Sequence, residues 1–119
     1  MKNTIRLSAV LLATTVLPVA AQSDVRMGER LYQENCASCH GANLEGQLDW
    51  RSRLPNGRLP APPHDASGHT WHHPDRVLFD IVKRGPAAIV GNGYESDMPG
   101  YEDVLTDDEI TAIIDYIKS

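Results

Sequence analysis

The stretch Cys36-Ala37-Ser38-Cys39-His40 holds the only two cysteines of the chain, three positions apart, with a histidine directly after the second. No other feature restricts the possible folds so strongly. Three common uses of such a pair compete. A structural disulfide gives the histidine no part to play. A zinc site needs four ligands, and the other candidates, His64, His69, His72 and His73, crowd into one proline-rich stretch. A dithiol redox pair of the thioredoxin kind belongs with alternating strands and helices, and no strand pattern is visible here.

Cys-x-x-Cys-His is also the spacing of covalent c-type haem attachment. Two thioethers to the haem vinyl groups fix the porphyrin edge against the chain, and the next residue is then held beneath the iron, where its imidazole can bind. Haem is the reading that uses all three residues; zinc and a bare disulfide are the alternatives. Such an iron commonly takes a sixth ligand from the far side of the ring. Met98 is the candidate, 58 residues beyond His40, with Pro99 stiffening the turn that presents it. Met27 sits on the segment leading into the cysteines, and Met1 falls in the leader described next. A histidine from the 64–73 group is the rival ligand, and a plain buried filler is the alternative role for Met98.

Lys2 and Arg6, an apolar run from Leu7 to Val16 and the small residues Val19-Ala20-Ala21 make residues 1–21 a secretory signal peptide. The run is short of the roughly 20 apolar residues of a spanning helix, so an uncleaved N-terminal anchor is the secondary reading. Residues 22–119 form the mature domain, expected in the periplasm with no membrane span after cleavage. Export suits haem attachment, which occurs outside the cytoplasm in bacteria. Taking Lys2 and Arg6 from the 11 basic residues leaves 9 against 16 acidic ones, a net charge of −7. Nucleic acid is excluded as a partner, because phosphate binding needs a basic face. An acidic chain is instead steered toward a basic patch on a protein.

The remaining pattern is all helix. Val25, Gly28, Leu31, Tyr32, Asn35 and Cys36 recur at spacings of three and four, which predicts a helix from an N-cap at Ser23 into the cysteines. Gly28 inside it costs about 1 kcal/mol against alanine, so something approaches it closely. From Gly41 to His73 the periodicity vanishes among prolines and glycines, about 30 residues without structure, which in a compact domain signals function. Pro74 opens a helix with Val77, Leu78, Ile81 and Val82 on its apolar face, and Gly85 stops it. A second loop runs from Gly85 to Tyr101. Thr106 and Glu109 form a capping box for a last helix, with Leu105 and Ile110 as its hydrophobic staple and Ile110, Ile113, Ile114 and Ile117 as its buried stripe. Three or four helices, two long loops and no strand result. One phenylalanine, two tryptophans and four tyrosines are few bulky residues for a core, so a large apolar group from outside would help to fill it.

Over residues 23–119 the chain resembles class I cytochromes c. Gly28, Tyr32 and Cys36 stand four apart, like that family's small residue, aromatic and first haem cysteine. Ile113 and Tyr116 are similar to the aliphatic–aromatic pair of its last helix, which crosses the first closely. The resemblance implies the cytochrome c fold around one covalently bound haem c with its iron. It assigns Cys36 and Cys39 to attachment, His40 to the proximal position and Met98 to the distal one. Pro62, with Pro60 and Pro63 as neighbouring registers, resembles the proline whose carbonyl accepts a hydrogen bond from the proximal imidazole. Trp71 resembles the tryptophan that donates to a haem propionate, against a plain loop-packing role; Arg53 and Arg58 are candidates to neutralise propionates. The implied function is single-electron transfer between a redox protein donor and acceptor, without enzymatic activity. The alternatives are a haem enzyme or gas sensor with a labile sixth ligand, and a cytochrome subunit of a dehydrogenase. The run Gly68-His69-Thr70-Trp71-His72-His73 is no part of the family pattern, and neither is the absence of a lysine-rich face.

Overall fold

Two helices from opposite ends of the chain cross at the centre of the molecule. The structure, a computed structural model, describes residues 19–119; the expected leader, apart from its last three positions, lies outside the described residues. In chain order the helices are α1 (Val19–Asn35), α2 (Ala37–His40), α3 (Asp75–Arg84), α4 (Pro86–Val90) and α5 (Asp107–Ile117), with a 3-10 turn at Thr70–His72 before α3. No strand is present among the described residues, and no helix among them is long and apolar enough to cross a membrane.

The α1–α5 crossing is the largest contact between elements, and Gly28 explains how close it is. A Cβ placed there would lie 1.9 Å from the carbonyl oxygen of Ala112, so only a bare α-carbon admits the α5 backbone. Around this point Leu31 and Tyr32 of α1 bury against Ile110, Ile113, Ile114 and Ile117 of α5, with Leu105 closing one end. The α5 start is capped as its sequence predicts. Thr106 Oγ1 accepts from the Glu109 backbone, and Glu109 accepts from the Thr106 backbone at 2.8 Å.

Three expectations shift. The first helix runs on through Ser23 to Val19, so Ser23 is an interior position and not its N-cap. Pro74 is the N-cap of α3, with an extended ψ of 149°, and Asp75 is its first helical residue. The loop expected from Gly85 onward contains α4, opened by Pro86 immediately after Gly85 turns the chain at φ 81°. Five residues are too few to register as a helical period. The long segment 41–73 does lack helix except for the 3-10 turn, and its carbonyls and amides pair within turns and with neighbouring loops.

Candidate functional site

The α1 helix ends at Asn35, and after Cys36, whose φ of −119° is stretched within the right-handed region, the chain continues as the four-residue α2. Cys39 and His40 both donate backbone bonds to the Cys36 carbonyl, at 3.2 and 2.9 Å. One turn thus carries Cys36, Cys39 and His40, so residues three and four apart share a face. The two cysteines form no disulfide with each other; Cys36 is half-buried and Cys39 exposed. Among the described residues no three His, Cys, Asp or Glu side chains gather to hold a metal ion, so the zinc alternative finds no second set of ligands.

His40 is buried, and its Nδ1 lies 2.8 Å from the Pro62 carbonyl oxygen. A ring nitrogen that donates to a carbonyl carries the proton, which leaves Nε2 unprotonated and able to bind a metal. Burial holds the imidazole below its ordinary pKa, against the carbonyl bond that favours the charged ring. Gly46 explains how the Pro62 segment comes so near: a Cβ there would sit 2.4 Å from the Pro63 nitrogen. Tyr32, wholly buried on α1, donates its hydroxyl to the Gly41 carbonyl at 2.8 Å and ties the end of α2 to the core.

Met98 lies half-buried in the loop after α4, its backbone N–H donating to Ser96 Oγ at 3.2 Å. The loop is pinned where it passes the end of α3. A Cβ on Gly100 would meet the Lys83 oxygen at 2.8 Å, and one on Gly85 would meet the Gly100 nitrogen at 2.9 Å. Tyr101 follows, bonded through its amide to Val82 and through its hydroxyl to the Asn35 carbonyl, both near 3 Å. Met27 packs against the α1–α5 core instead. His64 stacks on the His40 ring, centroids 4.1 Å apart and planes 23° apart. It therefore stands on the same side as His40, against the face of that imidazole, and not across from it. Trp71, in the 3-10 turn, is half exposed at 50%.

Three observations test whether haem fits these residues. The donor set is two cysteine sulfurs and an imidazole with a free Nε2 on one helical turn. No residue of α3 or α4 is buried, although Val77, Leu78, Ile81, Val82, Ile89 and Val90 are apolar; a half-covered apolar wall suits a flat hydrophobic ring. Arg58 Nε is buried without a hydrogen-bond partner among the described residues, its nearest carboxylate being Glu95 at 3.9 Å, while its Nη1 pairs with Asp97 next to Met98. A propionate would satisfy such a donor. Arg53 is spent differently, bonding the Gly57 carbonyl within its own loop at 2.7 Å. The residues fit the group.

Sequence reasoning offered His64 only as a rival ligand and missed that it stacks on His40. The signal was present, an unexplained histidine directly after Pro62-Pro63, but its stacking partner lies 24 positions earlier in the chain.

Comparison with known proteins agrees with this chemistry. The Cytochrome c family profile matches residues 25–119. A cytochrome c-555 of Prosthecochloris aestuarii is 31% identical over 70 residues, covering 54% of this chain and 71% of its own. A cytochrome bc1 complex cytochrome c subunit of Mycobacterium tuberculosis is 46% identical over 46 residues, 36% of this chain and 16% of that subunit; the Mycobacterium bovis subunit matches to the same extent. The chain thus spans only a small part of the mycobacterial relatives. No solved structure gives a significant match. With an all-helical fold, a Cys-x-x-Cys-His turn and a family profile running from α1 to its last residue, the chain belongs to the cytochrome c family and carries covalently bound haem c.

Proposed function

We propose that the chain is an exported monohaem electron carrier in which His40 and Met98 are the two axial ligands. The observation that carries this reading is the His40–Pro62 bond, which fixes the imidazole by Nδ1 and reserves Nε2 for iron. Cys36 and Cys39 would hold the group through thioethers, and the half-buried Met98 would offer its sulfur from a loop pinned at Gly85, Gly100 and Tyr101. When bound, haem supplies a one-electron couple. A methionine thioether opposite an imidazole favours the reduced state relative to a second histidine. The apolar residues of α3 exclude water from the ring, and Arg58 compensates a propionate charge. With both axial positions taken no place is left for a substrate, so the protein passes electrons and transforms nothing. The basic, apolar and small residues of positions 1–21 support export to the periplasm, and the acidic surface supports a partner that docks through a basic patch.

The test is the absorption spectrum of the matured protein, oxidised and reduced, for wild type and Met98→Ala. The weak near-infrared band of methionine-ligated ferric haem is expected in the wild type and absent in the variant, whose reduced form gains carbon monoxide binding. A wild type without the band that binds carbon monoxide readily would favour a haem enzyme or gas sensor.

A further inference from the structure

We propose that His64 is a positioning residue for the proximal ligand, held by Thr70, and that it sets the plane of the His40 imidazole about the bond from Nε2 to the iron. The inference rests on His40 as the proximal ligand and goes beyond it. A single hydrogen bond from Nδ1 to the Pro62 carbonyl fixes one atom of the His40 ring but, being tolerant in angle, restrains the broad torsion about the Cβ–Cγ bond only weakly. A second flat ring laid on its face, 4.1 Å away and within 23° of parallel, removes that freedom.

His64 is itself restrained from several sides. Its Nδ1 shares a 2.7 Å hydrogen bond with Thr70 Oγ1, and Thr70 is buried at 6% exposure. Its backbone N–H donates to the Leu44 carbonyl at 2.8 Å. The Tyr32 ring meets it edge-on, centroids 6.3 Å apart and planes at 72°. The return of the chain from His64 to Thr70 depends on Gly68, where a Cβ would stand 2.0 Å from the Pro63 oxygen. Outside this pair, His69 lies against Trp50 at 5.3 Å and His73 meets His69 edge-on at 5.5 Å. The histidine-rich run is thus a folded support behind the proximal ligand, with His64 and Thr70 on the inside and His69, His73 and Trp50 as its outer cover.

The measurement is the ferric holoprotein's haem-methyl proton shift pattern together with its electron paramagnetic resonance g values, both of which follow the orientation of the axial imidazole plane. Far-ultraviolet dichroism reports folding alongside. His64→Ala is expected to redistribute the methyl shifts and move the g values, His64→Phe to return both toward wild type by restoring a stacked ring, and Thr70→Val to move them part of the way. Folded His64→Ala with the wild-type pattern overturns the proposal, as does His64→Phe behaving like His64→Ala. Where His64→Ala yields no holoprotein, Thr70→Val decides, an unchanged pattern counting against the inference. A wild type without histidine ligation in these spectra removes His40 as the ligand and overturns both readings, whereas a histidine-ligated wild type with indifferent variants overturns this one alone.

Discussion

Tyr32 shows how one residue joins the core to the site. Its ring is wholly buried between α1 and α5, 5.4 Å from the Tyr116 ring, and its hydroxyl ends on the Gly41 carbonyl one residue past His40. Burial, more than the neighbouring Cys36, pushes the phenol well above its ordinary value of 10. The unfolded chain ionises this tyrosine near pH 10 while the folded one retains its proton, so above that pH the unfolded state binds fewer protons. The tyrosine's contribution is therefore complete below pH 10 and is lost as pH rises beyond it, at most about 1.4 kcal/mol per pH unit for one proton. Tyr32→Phe is expected to cost about 1 kcal/mol at neutral pH, for the carbonyl bond it removes, and to flatten the alkaline decline; denaturant unfolding at pH 7 and pH 11 checks both. Burial likewise pushes His64 down to about 3, which keeps the stacked ring neutral. Cys36, Cys39 and His40 were legible as residues because their chemistry requires adjacency in sequence. His64 was not, since stacking is adjacency in space, made by the turn at Gly68.

At the scale of elements, the α1–α5 crossing depends on Gly28. Gly28→Ala gains helix propensity, about 1 kcal/mol, but drives a methyl into the Ala112 carbonyl, and backbone cannot rotate aside as a side chain can. A net destabilisation of about 3 kcal/mol is expected, read as a lower midpoint of thermal or denaturant unfolding of the holoprotein. An unchanged midpoint would mean that the helices separate easily, against the close contact. The elements that sequence periodicity revealed are those with a full apolar stripe. α5 has its capping box and four isoleucines, and α1 and α3 have repeats of three and four. α2 and α4 are a single turn or little more, so no stripe develops, and their helices follow from neighbours: Cys36 dividing α2 from α1, and Gly85 with Pro86 redirecting the chain. The α3 stripe was read correctly as apolar, yet protein covers it only in part, Leu78 and Val82 packing against the α1–α5 core.

For the whole molecule, the acidic surface is the property that reaches farthest. Electron transfer with a basic redox protein is expected to slow as salt rises from about 0.01 M to 0.15 M, where the screening length shrinks from about 30 Å to 8 Å. Stopped-flow rates against a cationic and an anionic acceptor check this; a rate with the cationic protein that is indifferent to salt would remove electrostatic steering. The sequence alone determined the cofactor chemistry, the all-helical class and the sign of the surface charge. These follow from covalent spacing, from periodicity and from counting, none of which needs a third dimension. Only the tertiary structure decided that Pro62, and not Pro60 or Pro63, faces His40, that Met27 packs against the core, that Gly28 abuts Ala112 and that His64 lies on the His40 ring. Each of these joins residues far apart in the chain, and their distances depend on how a loop of many rotatable bonds closes.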